Sequence, residues 1–227
     1  MTLFVLIHGA YHGGWCWDLL GRELDAAGHQ WLAPDLPCEE PVGASDYAAI
    51  VLREVLARNG EDVVVVGHSL GGLTAPLVAD ALGADQLVFL AAVVPEPGVA
   101  SARAAFPPTM GDLWRERAAH QIVEDGLVRW PAEDAIDVFF HDCPQAVASW
   151  AAEQLRPQAF ALLQEPCPLE ALPRTDCRYI ACAEDRTMTF EWQQQAARRL
   201  GVTPTVIAGG HSPFLARPKE LAQLLMT

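Results

Sequence analysis

The sequence predicts an α/β fold: a mostly parallel central sheet flanked by helices, interrupted by a mainly helical cap insertion. Three observations carry that prediction. First, short apolar runs rich in β-branched residues alternate with amphipathic segments of helix length, as strands buried on both faces of a parallel sheet require. Second, this rhythm breaks at Val94-Pro95-Glu96-Pro97-Gly98 and resumes at Arg178-Tyr179-Ile180-Ala181-Cys182-Ala183. Third, Val63-Val64-Val65-Val66 runs without a loop into Gly67-His68-Ser69-Leu70-Gly71, followed by helix-compatible sequence from Leu73 to Leu82. A strand that turns straight into a helix strains the residue at the bend, and flanking glycines remove the Cβ atoms that would collide there. The pentapeptide Gly-x-Ser-x-Gly also arises by chance; the tetra-valine strand before it is what gives it weight.

Taken in order, Leu3-Phe4-Val5-Leu6-Ile7 is the first buried strand. It leads into His8-Gly9-Ala10-Tyr11-His12-Gly13-Gly14-Trp15, a loop with more glycine than a plain strand-to-helix turn needs. Trp17, Leu20, Leu24 and Ala27 recur at helical spacing, and Gly28 ends that helix. Trp31-Leu32-Ala33-Pro34-Asp35 is a second strand, closed by Pro34. Ser45 or Asp46 caps a helix with apolar positions Ala48, Val51, Leu52, Val55 and Leu56, which Gly60 stops. Pro76 falls inside the helix after the serine and is expected to kink it. Leu87-Val88-Phe89-Leu90-Ala91-Ala92 is the fourth strand.

The insertion spans residues 95–173, between core segments 1–94 and 174–227. Gln121 to Trp130 reads as a small hairpin turning at Asp125-Gly126, while Pro131 and Pro144 suit helix first turns. Trp114, Trp130, Phe139, Phe140, Trp150 and Phe160 make the insertion rich in aromatic residues. After the strand ending at Glu184-Asp185, a helix from Phe190 to Leu200 stops at Gly201. Thr203 to Ala208 is the last strand, Gly209-Gly210-His211 follow it, and Pro218 opens a final helix.

Composition narrows the function. A formal net charge of -14 opposes binding to nucleic acid or an anionic membrane, and disfavours polyanionic substrates. No apolar run approaches the length of a bilayer span. No basic n-region is visible and a strand-like run starts at Leu3, so no secretory leader and a cytoplasmic location are expected. The six cysteines form no C-x-x-C pair and are expected as free thiols. No metal site and no cofactor are expected, and nothing opposes a homodimer.

In an open parallel sheet, functional groups gather at the carboxyl ends of strands. Ser69, Asp185 and His211 each follow such an end. A serine hydroxyl becomes a competent nucleophile when a neutral imidazole takes its proton, and a buried carboxylate orients that imidazole. Glu184 adjoins Asp185 and competes for the acid role, with Asp185 favoured. His8, His12 and His68 are rivals for the base, but none follows the last strand.

On these residues the chain resembles the α/β-hydrolases, and among them the small plant methylesterase and hydroxynitrile lyase group with its bacterial relatives. The matching stretches are Leu6 to Trp15, Ala27-Gly28-His29, Gly67 to Gly72, Phe89 to Ala92, Ala183-Glu184-Asp185, Glu191-Trp192-Gln193 and Gly210-His211. The resemblance implies Asp185 as acid, His211 as base and an oxyanion hole formed by the N–H groups of Ala10 and Leu70. Lyases of the group carry threonine at the position of Gly9 and lysine directly after the catalytic histidine, where this chain has Ser212. Lys219 is the only lysine. The expected activity is therefore hydrolysis of a small-molecule carboxylic ester of an apolar or aromatic acid. The alternatives are a lyase, or a ligand receptor that retains the triad. The substrate pocket is expected to include Gly9, His12, His68, Trp130 and Phe139, with open room over Gly9 for water or the alkoxy group.

Overall fold

Six parallel strands in the order β2-β1-β3-β4-β8-β9 form the central sheet of the computed structural model, which describes residues 1–56, 62–101 and 110–227. They are β1 (Thr2–Ile7), β2 (Gln30–Leu32), β3 (Asp62–His68), β4 (Gln86–Leu90), β8 (Asp176–Cys182) and β9 (Thr205–Ile207). Strand β3 pairs with both β1 and β4, so the serine-bearing strand sits inside the sheet. Strand β8, which ends three residues before Asp185, lies between β4 and β9.

Period-two burial explains why the strands are apolar throughout. Leu3, Val5 and Ile7 pack with Val65, Phe89 and Tyr179 on one face. Phe4 and Leu6 pack with Val66, Val88, Leu90 and Ile180 on the other. Helices α2 (Ala44–Val55), α3 (Ala75–Leu82) and α7 (Phe190–Arg199) cover the first face. Helices α1 (Asp18–Ala26), α8 (Pro213–Ala216) and α9 (Pro218–Leu225) cover the second. Both layers are needed, because a parallel strand leaves neither face to water.

Between β4 and β8, in the stretch expected as a cap, lie α4 (Asp112–Ala118), α5 (Ala132–Phe139) and α6 (Gln145–Gln154). That stretch also holds an antiparallel sheet of β5 (Ile122–Glu124), β6 (Leu127–Arg129) and β7 (Gln158–Ala159). The hairpin turns at Asp125 and Gly126, whose φ values of 52° and 80° match the expected Asp-Gly turn. The third strand, β7, is too short to announce itself in sequence. Leu162 and Leu163 join one core layer, while Ala135, Val138, Phe140 and Ala151 join the other. The cap thus shares the core of the sheet.

Three local expectations need correction. Pro76 lies in the first turn of α3, where its missing N–H had no intrahelical partner, so no kink is required. A short 3-10 segment, Ser69–Leu73, separates it from the strand. Helix α2 starts two or three residues earlier than expected: Gly43 is its N-cap in place of Ser45 or Asp46, and Asp46 accepts the Gly43 N–H from the first turn. The strands β2 and β9 are shorter than the apolar runs that suggested them. The expected stop at Gly60 lies outside the described residues. All six cysteines are free thiols, and among the described residues no helix is long and apolar enough to cross a membrane.

Candidate active site

The nucleophile candidate stands where the sequence puts it. Ser69 follows β3 directly with φ of 50°, the left-handed region a side chain rarely adopts. The bend is possible because Gly71 presses on β1: a Cβ there would lie 2.6 Å from the carbonyl oxygens of both Ile7 and His8. Tyr11 and Ala91 are also left-handed, at φ of 67° and 41°. Backbone strain therefore follows the carboxyl ends of β1, β3 and β4, as it does at sites that function through it.

Asp185 and His211 meet across the ends of β8 and β9. His211 Nδ1 lies 2.8 Å from Asp185 Oδ2, and both side chains are almost completely buried. Because a carboxylate accepts, His211 carries its proton on Nδ1 and has Nε2 free. Asp185 is fixed in turn. Its Oδ1 accepts the N–H groups of Thr187 at 2.7 Å and Met188 at 3.0 Å. Its Oδ2 also accepts from Gln193 Nε2 at 3.3 Å. Gln193, fully buried, bonds both Cys182 backbone groups and the Met188 carbonyl as well. The rival Glu184 is exposed. The loop bearing His211 is further tied to the cap, where Asp142 Oδ2 accepts the Gly210 N–H at 2.9 Å.

The three histidines that rival His211 in sequence have different duties. His8 donates from Nδ1 to the Gly9 carbonyl at 2.9 Å and accepts the Leu36 N–H on Nε2 at 3.0 Å. His12 donates from Nδ1 to the Ala10 carbonyl at 2.7 Å. His68 donates from Nε2 to the His211 carbonyl at 2.9 Å, beneath the base. Burial lowers the pKa of His8 to about 4 and of His12 to about 3. Burial also holds His68 well below its ordinary value. All three are neutral near pH 7 and none is suited to take a proton there.

A cavity partly open to solvent brings the site together. Ser69, Leu70, Ala10, His12 and His211 form its floor, while Tyr11, Trp114, Phe139, Phe160, Met110 and Met188 contribute apolar wall. Of the five expected pocket residues, His12 and Phe139 are on this wall and Gly9, His68 and Trp130 are not. Trp130 packs behind it, edge-on to Tyr11 and Phe139. Gly9 offers no open room, because a Cβ there would lie 2.8 Å from Ser69 Cβ. Its missing side chain is the space that the serine fills. Tyr11, Val93, Thr187 and Met188 line the cavity without having been singled out as pocket residues. Val93, Thr187 and Met188 come just after β4 and β8, so the carboxyl-end rule could have found them.

Comparison with known proteins agrees with the fold. The alpha/beta hydrolase family matches residues 4–224. Salicylic acid-binding protein 2 of Nicotiana tabacum is 31% identical over 98% of this chain and 95% of its own length. Methylesterase 7 of Arabidopsis thaliana is 39% identical over 98% of this chain and 94% of its own. A pyrethroid hydrolase structure from Sphingobium faniae superposes with a TM-score of 0.78 at 24% identity, covering 99% of this chain and 96% of that one. The chain belongs to the alpha/beta hydrolase family.

Proposed function

We propose that the chain is a serine hydrolase that cleaves a carboxylic ester through an acyl-enzyme. One observation carries this reading: Ser69 and His211 share a cavity wall, and His211 Nδ1 is held 2.8 Å from the buried Asp185 carboxylate. In this mechanism the free Nε2 of His211 takes the Ser69 proton as Oγ attacks the ester carbonyl. Asp185 stabilises the imidazolium that results. The oxygen that gains negative charge is met by the N–H groups of Ala10 and Leu70, both cavity-lining residues. Ala10 N–H makes no hydrogen bond among the described residues, and Leu70 is the second residue of a 3-10 segment. His211 then protonates the leaving alcohol, and water reverses the sequence to release the acid.

The wall favours a neutral ester with an apolar or aromatic acyl part, since it is built from aromatic and thioether side chains. The net charge of -14 acts in the same direction by repelling anionic acids. The methylesterase among the relatives supports ester cleavage and makes methyl esters the first substrates to try. Lyase chemistry is disfavoured. Ser212 is fully buried away from the cavity wall, and Lys219 is exposed on α9. A departing cyanide would lack a cationic partner, a loss of about 2–5 kcal/mol in a dry site.

The test is substrate choice. The protein is expected to hydrolyse p-nitrophenyl acetate and at least one aryl methyl ester. Mandelonitrile is expected to be cleaved no faster than by Ser69→Ala. Cyanide release that depends on Ser69, without ester turnover, would overturn the reading.

A further inference from the structure

The loop that carries Ala10 is held from the cap. Tyr11 adopts φ of 67° without being glycine. Such a conformation persists only where its surroundings over-determine it. Both backbone groups of Tyr11 are bonded to one short cap segment almost 150 residues away. Its N–H donates to Gln158 Oε1 at 3.2 Å, and its carbonyl accepts the Arg156 N–H at 2.8 Å. The next carbonyl, of His12, accepts Arg156 Nη2 at 3.0 Å, and the same guanidinium reaches the Leu36 carbonyl at 2.8 Å.

Gln158 is itself locked. It is buried to 1% exposure and belongs to β7, which pairs Val128 with Gln158 and Leu127 with Ala159. Its Nε2 donates to the Ala159 carbonyl at 2.6 Å, to Cys38 O at 3.3 Å and to the Tyr47 hydroxyl at 3.5 Å. Every polar atom of this amide is therefore engaged, and its orientation follows from its partners: Nε2 faces three oxygens, so Oε1 faces the Tyr11 N–H. From inside the loop, His12 Nδ1 occupies the Ala10 carbonyl. The peptide groups on both sides of Tyr11 are bound, while the Ala10 N–H has no partner among the described residues.

We propose that Gln158, assisted by Arg156, is the positioning residue for the oxyanion donor at Ala10, so that the cap forms part of the catalytic apparatus as well as the pocket wall. The proposal rests on the serine-hydrolase reading above. Donors that stabilise a developing oxyanion act through being fixed before the charge appears. Releasing the Tyr11 N–H frees the left-handed turn to relax and moves Ala10 N–H off the position the oxyanion takes. The loss is specific to the transition state, because a ground-state ester asks little of that donor.

Gln158→Met keeps the length of the side chain and removes both polar ends. It is expected to lower kcat about 10- to 100-fold, with KM within about twofold. Affinity for trifluoroacetophenone, which forms a tetrahedral adduct with a serine, should fall by the same factor. Affinity for acetophenone, of the same shape but without stable adduct formation, should not change. Should Gln158→Met fail to fold, Arg156→Met supplies the test, since that side chain is partly exposed. It is expected to lower kcat and trifluoroacetophenone affinity together, about five- to tenfold. Wild-type kcat and trifluoroacetophenone affinity in the folded variant would overturn the proposal. So would equal loss of affinity for both ketones. A wild-type protein inert toward every ester would fail one step earlier, at the hydrolase reading itself.

Discussion

His211 and the loop around Tyr11 lie at the same edge of one sheet but are held by different means. His211 is oriented mainly from within the core. Asp185, Thr187 and Met188 follow β8, and Gln193 lies on the next helix, α7. The Tyr11 loop takes its restraint from Arg156 and Gln158 of the cap. His211 is thus bonded to an acid 26 residues away, and the Tyr11 loop to a side chain 147 residues away. Changes on the core side are expected to remove chemistry. Changes on the cap side are expected to alter how well substrate and transition state are fitted.

The most severe expected change is on the core side. Ser69→Ala should lower kcat by roughly a million-fold, the scale of losing a triad serine, with the fold intact by circular dichroism. Next, Asp185→Asn should cost on the order of ten thousand-fold, because the amide permits the wrong imidazole tautomer. Glu184→Gln, on the exposed neighbour, should change kcat less than about threefold. If Glu184→Gln were the more damaging, the acid would have been assigned to the wrong residue.

The cap's apolar wall gives the contrasting result. Trp114→Ala opens the apolar wall beside the cavity and should raise KM for an aryl ester about tenfold, with kcat within about threefold. A large fall in kcat with KM unchanged in Trp114→Ala would mean that the apolar wall, like Gln158, acts on the transition state instead of on substrate fit.

Acid stability is the mildest test and concerns the core alone. Unfolded histidine titrates near 6.5, whereas His8 titrates at about 4, His12 at about 3, and His68 well below its ordinary value. Between these limits the unfolded chain binds more protons than the folded one, so stability falls as pH drops below about 6.5. Denaturant midpoints measured from pH 7 down to pH 5 should decline steadily. His8→Asn should flatten that decline, and an unchanged slope would count against a neutral buried His8.

The core was far more legible in the sequence than the cap, and the reason is physical. A strand buried on both faces must be continuously apolar, so Val63 to Val66 and Leu87 to Leu90 identify themselves locally. Gly71 does likewise, because no larger residue fits against Ile7 and His8. The chain order of Ser69, Asp185 and His211 then follows from strands whose carboxyl ends share an edge. Trp130 and Phe139 show why the pocket did not emerge. Both are cap aromatics of similar character, yet one backs the wall and the other forms it, a difference set by packing between distant segments. Gln158 carried no signal at all, since its partners at Tyr11, Cys38 and Tyr47 lie more than a hundred residues earlier. Gly9 misled because a missing side chain reads equally as open space or as tight packing.

The central claim, that Ser69 carries the acyl group during ester cleavage, is tested most directly by trapping that intermediate. Wild-type protein would be mixed with p-nitrophenyl acetate, quenched in acid during turnover and analysed by peptide mass spectrometry. The account predicts one acetyl group on the peptide containing Ser69, formed at the rate of the nitrophenol burst and absent from Ser69→Ala. Ester turnover undiminished in Ser69→Ala, or acetylation confined to another side chain, would contradict it.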